Sequence, residues 1–325
     1  MNAAAQTLAA LGESAVLARI FPRLPAAAAE LLGPGDDAAV LAAPDARVVI
    51  TTDTMIQGPD FRLAWSTPED LGWKAAASNL SDIAAMGAVP TALVVAIAAP
   101  AGTPVEFLER FADGLREGCA ALAPGCGVVG GDLSVSTVLT IAVTALGDLQ
   151  GRAPVLRSGA RPGDIVAVSG QLGLAAEGLE LLFQRAMVAG EPDAKAALAL
   201  RQQHPDALAA QLRPSPPIAD GPAAAEAGAT AMLDVSDGLA LDARRLAVAS
   251  GVALDLRATA LGSRRALDGG EDHALLATFP PGVALPGDFR EIGLVREGEG
   301  VLIDGVAYQA RGGWDPFAEW DGGGG

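Results

Sequence analysis

Residues 47–53, RVVITTD, are a β-branched run that ends in a carboxylate, which is typical of a strand with hydroxyl groups and Asp53 at its end. The segment over 68–88, PEDLGWKAAASNLSDIAAMGA, has Pro and Glu at its start, Gly near its end and apolar residues at helical spacing. These two stretches predict a strand followed by a helix, with polar residues at the end of the strand and inside the helix.

Strands and helices continue to alternate irregularly along the chain. Residues 149–164, LQGRAPVLRSGARPGD, concentrate Gly, Pro and Arg, and they predict a boundary between domains over 1–149 and 150–325. Because no strict βαβ repeat is present, the mixture favours an α+β fold. The other predicted elements are an opening helix over about 5–20, a short strand after Asp37, strands over 91–99, 138–147 and 164–169, helices over 104–122 and within 172–227, the segment AMLDVSDGLALDARRLA over 231–247, and late strands to about 308.

The composition limits the classes of partner. The chain has 325 residues, half of them hydrophobic, and a net charge of -17, which fits a globular protein and argues against direct binding to nucleic acid or to an anionic membrane. A phosphorylated ligand is compatible with this charge only if cations mediate its binding.

Features of the sequence favour a cytoplasmic protein. The N-terminus has no basic residue before its apolar part, and the apolar run ALVVAIAAPAG is too short to span a bilayer. Cys119 and Cys126 form no C-x-x-C pair, so we expect reduced structural thiols, with a redox or metal role as the alternative.

Acidic residues recur beside Gly, Ser or Thr at the edges of apolar elements. For any one of them a turn or a helix cap is the alternative explanation. Asp82 is hardest to explain in that way, because it stands among apolar residues of a helix, where an unpaired carboxylate is costly. Together they predict Mg²⁺ ions bound with a polyphosphate, because a Mg²⁺ ion takes only one or two carboxylates and completes its shell with water and phosphate. The set is Asp36, Asp37, Asp53, Asp82, Asp132, Asp234, Asp237, Glu271 and Asp272.

Other kinds of active site are poorly represented. The sequence has no P-loop, no dinucleotide-binding glycine motif, no protein-kinase catalytic loop and no G-x-S-x-G elbow, and its two histidines are His204 and His273. Metal-assisted phosphoryl transfer fits better, because it depends on positioning and charge stabilisation. An acceptor that is itself a phosphate is already an oxyanion and needs no general base.

Nine motifs, in their order and spacing over about residues 10–317, resemble those of the thiamine-monophosphate kinase family. They are GPGDDAAVL (33–41), TTDTMIQGPDF (51–61), KAAASNLSDIAAMGAVP (74–90), GGDLS (130–134), RSGARPGD (157–164), LRPSPP (212–217), LDVSDGLALD (233–242), GGEDHALL (269–276) and GGWDPF (312–317). The resemblance implies transfer of the γ-phosphate of ATP to thiamine monophosphate, the last step of thiamine diphosphate biosynthesis. It also implies the aminoimidazole-ribonucleotide synthetase superfamily, two α/β domains, and a homodimer whose N-terminal sheets form a barrel at the interface.

The resemblance also implies roles for individual residues. Those matching the family's Mg²⁺ ligands are Asp37, Thr51, Thr52, Asp53, Asp82, Asp132, Asp234 and Asp237, of which Asp53, Asp82 and Asp237 are expected to be catalytic. Those expected to contact ATP are Gly131, Asp132, Arg157 and Ser236, and those expected to contact the acceptor are Asp60, Glu271, Trp314 and Phe317. A surface role in the linker is the alternative for Arg157, and packing of the chain end is the alternative for Trp314 and Phe317.

This chain departs from the family at two positions. Asp60 stands where the family usually has His, so a contact through the backbone is the alternative to a side-chain contact with the acceptor at that point. His273 stands where the family has Tyr. Two other functions are possible. The first is an ATP-dependent synthetase similar to selenophosphate synthetase, although the N-terminus lacks the expected reactive Cys followed by Lys. The second is a non-catalytic nucleotide-binding regulator, although the acidic set is intact.

Overall fold

The computed structural model describes residues 6–34 and 38–314. Its first half contains an open four-stranded sheet, a small hairpin and two long helices. The elements of this half are α1 (Leu8–Leu11), α2 (Glu13–Ile20), a 3₁₀ turn (Phe21–Arg23), β1 (Glu30–Leu32), β2 (Val40–Leu41), β3 (Val49–Ile56), α3 (Pro68–Ala85), β4 (Val89–Ala99), α4 (Val105–Leu122), β5 (Gly127–Val135) and β6 (Thr140–Asp148).

The four-stranded sheet has the order β3-β6-β4-β5, and the β4–β5 pair is parallel while the other pairs are antiparallel. Successive side chains of a strand point to opposite faces. On β3 this alternation turns Thr51 and Asp53 toward α3, while Ile50, Thr52 and Ile56 lie on the exposed face. The sheet therefore has one face covered by helices and one open face that carries apolar side chains.

Helix α3 begins at a capping box, in which Thr67 Oγ1 accepts from the Asp70 amide and Asp70 Oδ2 accepts from the Thr67 amide. It packs closely against α4 because both helices have a glycine at the crossing. A Cβ atom on Gly72 would lie 2.1 Å from Phe111 O, and one on Gly114 would lie 2.1 Å from Glu69 O. This packing buries α3 along most of its length.

The second half contains a seven-stranded sheet of order β10-β12-β7-β13-β11-β14-β15, with the β11–β14 pair parallel. Its elements are β7 (Ile165–Ser169), α5 (Leu174–Arg185), β8 (Met187–Val188), β9 (Glu191–Pro192), α6 (Ala194–Gln203), α7 (Pro205–Leu212), α8 (Asp220–Glu226), β10 (Ala231–Val235), α9 (Leu239–Ser250), β11 (Ala253–Leu256), α10 (Ala258–Leu261), α11 (Arg265–Asp268), β12 (Ala274–Phe279), β13 (Arg290–Arg296), β14 (Gly300–Ile303) and β15 (Val306–Ala307).

Helix α3 lies where the two halves meet. It contacts β3 and β6 in the first half, and β10, β12, α7 and α8 in the second. The largest buried cluster joins the two halves, with Leu80 and Ile83 of α3 in the same core as Met232 and Phe279. Polar side chains of α3 are therefore held rigidly between the two halves of the chain.

The mixed α and β composition predicted from the sequence is confirmed. The predicted opening helix over 5–20 is interrupted, because Gly12 has a φ of 80° and separates α1 from α2. In the described part of the chain neither large sheet closes into a barrel. No helix among those residues is long and apolar enough to cross a membrane. Cys119 and Cys126 are buried and free.

Candidate active site

The centre of the site is the contact between β3 and α3. The Thr51 hydroxyl donates to Asp82 Oδ2 over 2.8 Å, and the Asp53 amide donates to Asn79 Oδ1 over 3.2 Å. Asn79 and Asp82 are three positions apart and so share one face of the helix. The two predicted ligands Asp53 and Asp82 are thereby brought to the same place by two regular elements.

Asp234 joins this centre from the second half. It lies near the end of β10, which pairs with β12 so that Val235 is opposite Ala274, and this register places His273 beside it. Asp234 Oδ2 is 3.3 Å from His273 Nδ1 and 3.2 Å from Ser81 Oγ of α3. Asp234 and His273 are both buried, so this contact is shielded from water.

The pKa values of Asp82 and Asp53 are raised in this centre. Burial, followed by the charges of Asp234 and Asp53, raises the pKa of Asp82 to about 7. Burial also raises the pKa of Asp53, and the carboxylates of Asp234, Glu271 and Asp237 add to this against the opposing effect of His273. A divalent cation at this point would relieve the repulsion.

His273 is held by Asp234. Burial alone would lower the pKa of His273, but the hydrogen bond to Asp234 and its charge outweigh burial, so the pKa is raised. The backbone of His273 has a φ of 52°, and its amide donates to Val235 O over 3.1 Å. The imidazole is therefore fixed against Asp234 and is 5% exposed as a residue.

Glu271 lies at the edge of the centre, on a strained turn. Its φ is 72°, and its amide donates to Ser236 O over 2.7 Å. Residue 270 must be a glycine because its backbone lies close to the same carbonyl: a Cβ atom on Gly270 would lie 2.5 Å from Ser236 O. Lys74 Nζ of α3 lies 2.5 Å from Glu271 Oε2. Burial would raise the pKa of Glu271, but the Lys74 ammonium ion reverses this and lowers it.

Asp237 is engaged by an arginine in this structure. Arg245 Nη1 lies 2.6 Å from Asp237 Oδ2 and 2.6 Å from Asp242 Oδ1. Burial raises the pKa of Asp242 to about 6 against the opposing charge of Arg245. The Trp314 amide donates to Asp237 O over 2.8 Å, and Trp314 is 41% exposed. The structure thus brings Trp314 beside the DVSDG segment.

Asp60 stabilises its own turn. Its Oδ2 accepts from the Ile56 amide over 2.7 Å, directly after β3. Burial raises the pKa of Asp60, Glu271 raises it further, and Lys74 lowers it, so Asp60 is electrostatically coupled to the Lys74–Glu271 pair. The residue that replaces the family's His is therefore near the predicted acceptor contact.

A second region contains two of the four predicted nucleotide contacts, Gly131 and Asp132. Gly131 and Asp132 lie on the edge strand β5 and line a cavity of about 490 Å³ between α2, α4 and the sheet. The cavity walls are mainly apolar and include Pro34 and Ala38, which flank the segment with Asp36 and Asp37.

Several predicted residues are not brought to the centre. The Thr52 hydroxyl points to the other face of the sheet, where it donates to Val143 O over 3.0 Å. Arg157 is exposed in the linker, and its carbonyl accepts from Ser250 Oγ. Ser236 contacts Glu271 through its carbonyl. Asp36, Asp37 and Phe317 lie outside the described residues.

The acidic centre does not form a complete metal site from side chains alone. Among residues 6–34 and 38–314, no three His, Cys, Asp or Glu side chains are arranged so that they could hold a metal ion. The donors that are present are nevertheless carboxylate and hydroxyl oxygens, which are the atoms that Mg²⁺ prefers.

Sequence reasoning missed four polar residues of the site: Lys74, Asn79, Ser81 and Arg245. The first three were detectable, because polar residues recur within a helix that is otherwise apolar over 74–86. Such a helix is buried on most sides, so its polar residues need partners. Arg245 carries no comparable signal.

Comparison with known proteins identifies the family. The model of the AIR synthase related protein N-terminal domain matches residues 35–149. The thiamine-monophosphate kinase of Mycobacterium tuberculosis H37Rv is 45% identical over 333 residues, covering 97% of this chain and 94% of that protein. This chain belongs to the thiamine-monophosphate kinase family.

Solved structures of the family have the same fold. The thiamine-monophosphate kinase of Stenotrophomonas maltophilia K279a is 32% identical with a TM-score of 0.73, and the match covers 91% of this chain and 96% of that one. The structure described as "AaThiL complexed with AMPPCP and TMP" is 35% identical with a TM-score of 0.69, covering 85% of this chain and 90% of that one. The family resemblance inferred from the nine motifs is thereby confirmed.

Proposed function

We propose that this chain is a Mg²⁺-dependent thiamine-phosphate kinase, which transfers the γ-phosphate of ATP directly to the phosphate of thiamine monophosphate. The observation that carries the proposal is the convergence of Asp53, Asp82 and Asp234 where the two halves of the chain meet. Relatives with the name thiamine-monophosphate kinase, and a related structure whose description names AMPPCP and TMP, support the same substrates.

The donor set fits Mg²⁺. Asp53, Asp82 and Asp234 would supply part of its ligand shell, with Thr51 orienting Asp82, and phosphate and water would complete that shell. The further proposed ligands are Asp37, Thr51, Thr52, Asp132 and Asp237. Burial and the neighbouring carboxylates raise the pKa of Asp82 to about 7, and a bound cation would favour its ionised form. When bound, the ion would neutralise charge on the phosphates during transfer.

The chain's own residues bind and orient the two substrates. The acceptor phosphate needs no deprotonation, which agrees with a centre where the nearby imidazole of His273 is fixed on Asp234. Glu271, Asp60 and Trp314 would bind the acceptor beyond the carboxylate centre, and Phe317 is a further proposed contact. Gly131 and Asp132 would contact ATP at the apolar cavity, with Ser236 and Arg157 as further contacts.

We also propose a homodimer formed through the open face of the N-terminal sheet. Ile50 is 66% exposed on β3 and Val94 is 37% exposed on β4, so this face presents apolar side chains to solvent. Pairing two such sheets into a barrel would cover them. Ile50→Lys should convert the dimer to a monomer in multi-angle light scattering, while Val248→Lys, at a residue 75% exposed on α9, should leave the mass unchanged. A monomeric wild-type protein at micromolar concentration would contradict the dimer.

A cytoplasmic location is part of the proposal. The two buried free thiols are compatible with a reducing compartment. The net charge of -17 disfavours binding to nucleic acid and to anionic membranes.

The proposed function is tested by release of ADP from ATP across a panel of acceptors. Release should depend on thiamine monophosphate, stop with EDTA and return with excess Mg²⁺. Thiamine should react at least about 100-fold more slowly, because its hydroxyl requires a general base. Turnover of thiamine equal to that of thiamine monophosphate, or ADP release that does not depend on the acceptor, would refute the proposed reaction.

A further inference from the structure

The chain contains two lysines, in very different surroundings. Lys195 is exposed on α6, whereas Lys74 is buried on α3 with 8% of its side chain accessible. The chain has 22 basic residues, so 20 of them are arginines. A lysine in this buried position requires a specific explanation, because burying an ammonium ion is costly unless it is paired.

Lys74 spans the junction between the halves of the chain. Its ammonium group lies 2.5 Å from Glu271 Oε2 and donates to Gln211 O over 3.2 Å. Both partners belong to the second half, whereas α3 belongs to the first. The side chain of Glu271 is 42% exposed, so a ligand can reach its carboxylate while Lys74 contacts Oε2.

The backbone beneath Glu271 is fixed at the same time. The positive φ of Glu271 is maintained by the hydrogen bond from its backbone amide to Ser236 O and by the close approach of Gly270 to that carbonyl. A strained residue held from both its backbone and its side chain is over-determined, which is typical of binding sites. An ammonium group also suits this place, because it is compact and directs separate donors to a carboxylate and a carbonyl.

We propose that Lys74 is a positioning residue for the acceptor: it holds Oε2 of Glu271, so that this carboxylate is presented to the cationic, amino-bearing ring system of thiamine monophosphate. This inference rests on the proposed function. Asp60, which is coupled electrostatically to the pair, lies at the same end of the site.

The test compares Lys74→Met, Glu271→Gln and the double variant with Lys195→Met as the matched control. Loss of a positioned charged contact costs about 1.4 kcal/mol or more, so Lys74→Met and Glu271→Gln should each raise the KM for thiamine monophosphate at least about tenfold, with kcat within about threefold of wild type. In the Glu271→Gln background, Lys74→Met should change KM by less than about twofold, because the contact it supports is already gone. Calorimetric affinity for thiamine monophosphate, measured with AMPPCP present, should fall by the same factors.

Three outcomes would overturn the inference. One is a folded Lys74→Met protein with wild-type KM, and another is a Glu271→Gln protein with wild-type KM, which applies even if Lys74→Met does not fold. The third is a double variant whose KM for thiamine monophosphate is raised by the product of the two factors found in the single variants. Failure of the wild type to phosphorylate thiamine monophosphate would instead refute the proposed function, so the two failures are distinguishable.

Discussion

Asp82 and Glu271 are carboxylates of one site with opposite electrostatic states. The pKa of Asp82 is raised to about 7 by burial and by Asp234 and Asp53, whereas that of Glu271 is lowered by Lys74. Among the described residues, the polar partner of the Asp82 carboxylate is the Thr51 hydroxyl. The difference is that Asp82 has no lysine or arginine partner among the described residues, whereas Glu271 is paired with Lys74.

The two ends also differ in how the backbone supports them. Asp53 and Asp82 are on β3 and α3, two regular elements packed in the largest core. Glu271 and His273 are on a turn where both residues have positive φ. The proposed metal end is therefore preformed by regular structure, and the acceptor end depends on individual contacts such as the Lys74–Glu271 pair.

The largest expected effect comes from Asp82→Asn. Removing the charge from the acidic centre should lower kcat by about 100-fold or more, since charge stabilisation of the transferring phosphate dominates this chemistry. The Asn side chain can still accept from Thr51, so the fold should survive. The apoprotein should be at least as stable as wild type, because a buried like-charge repulsion is removed.

The control for this variant is Asp206→Asn, in the first turn of α7 and outside the site. It should keep wild-type kcat and KM. Near-normal turnover of Asp82→Asn would refute the role of Asp82 and the proposed difference between the metal end and the acceptor end.

A smaller effect is expected from His273→Ala. The imidazole contacts Asp234, and a phosphate acceptor needs no general base, so kcat at saturating Mg²⁺ should stay above about a tenth of wild type; loss of a base typically costs 10²–10⁴-fold. His204→Ala, at the end of α6, should have no measurable effect. A thousandfold loss in folded His273→Ala protein would show that the site does use a base.

The smallest effect is on the pH dependence of stability without metal. Between about pH 4 and 7, Asp82 is protonated in the folded protein, where its pKa is about 7, but ionised in the unfolded chain. The free energy of unfolding therefore falls as the pH rises through this range. His273, whose pKa is raised, acts in the same direction, since its stabilisation is lost as pH rises through the folded value. The Tm of the metal-free protein should therefore decline by a few degrees from pH 5.5 to 8, at about 2–4 °C per kcal/mol.

Asp82→Asn should flatten this decline, and Asp206→Asn should not. Calorimetry over the pH series measures both slopes. Identical slopes in wild type and Asp82→Asn would mean that Asp82 has an ordinary pKa in the folded protein.

The sequence predicted the parts of the site that regular structure and local motifs determine. Asp53 on a strand and Asp82 inside an apolar helix were recognisable, and the structure brings them together. The predicted strand end at Asp53 was wrong, because β3 continues past it to Ile56 and keeps pairing with β6. The orientation of Thr51 and Thr52 follows from the two-residue period of a strand, which allows only one of them to face α3. The metal role of Thr52 remains a prediction.

Long-range contacts could not be predicted in this way. The Lys74–Glu271 pair joins residues from the two halves of the chain, and the pairing of Arg245 with Asp237 depends on how α9 leaves the turn at Gly238. Neither contact is specified by residue spacing. The same holds for the interruption of the first helix at Gly12, since an isolated glycine is often tolerated within a helix.

The most direct test of the account is steady-state kinetics of wild type, Asp82→Asn and Lys74→Met, measured side by side with thiamine monophosphate as the varied substrate. The account predicts that Asp82→Asn loses kcat by about 100-fold or more, and that Lys74→Met loses affinity for the acceptor with kcat nearly unchanged. Loss of the same parameter by the same factor in both variants would contradict it, because the acidic centre and the acceptor end would then act as a single unit.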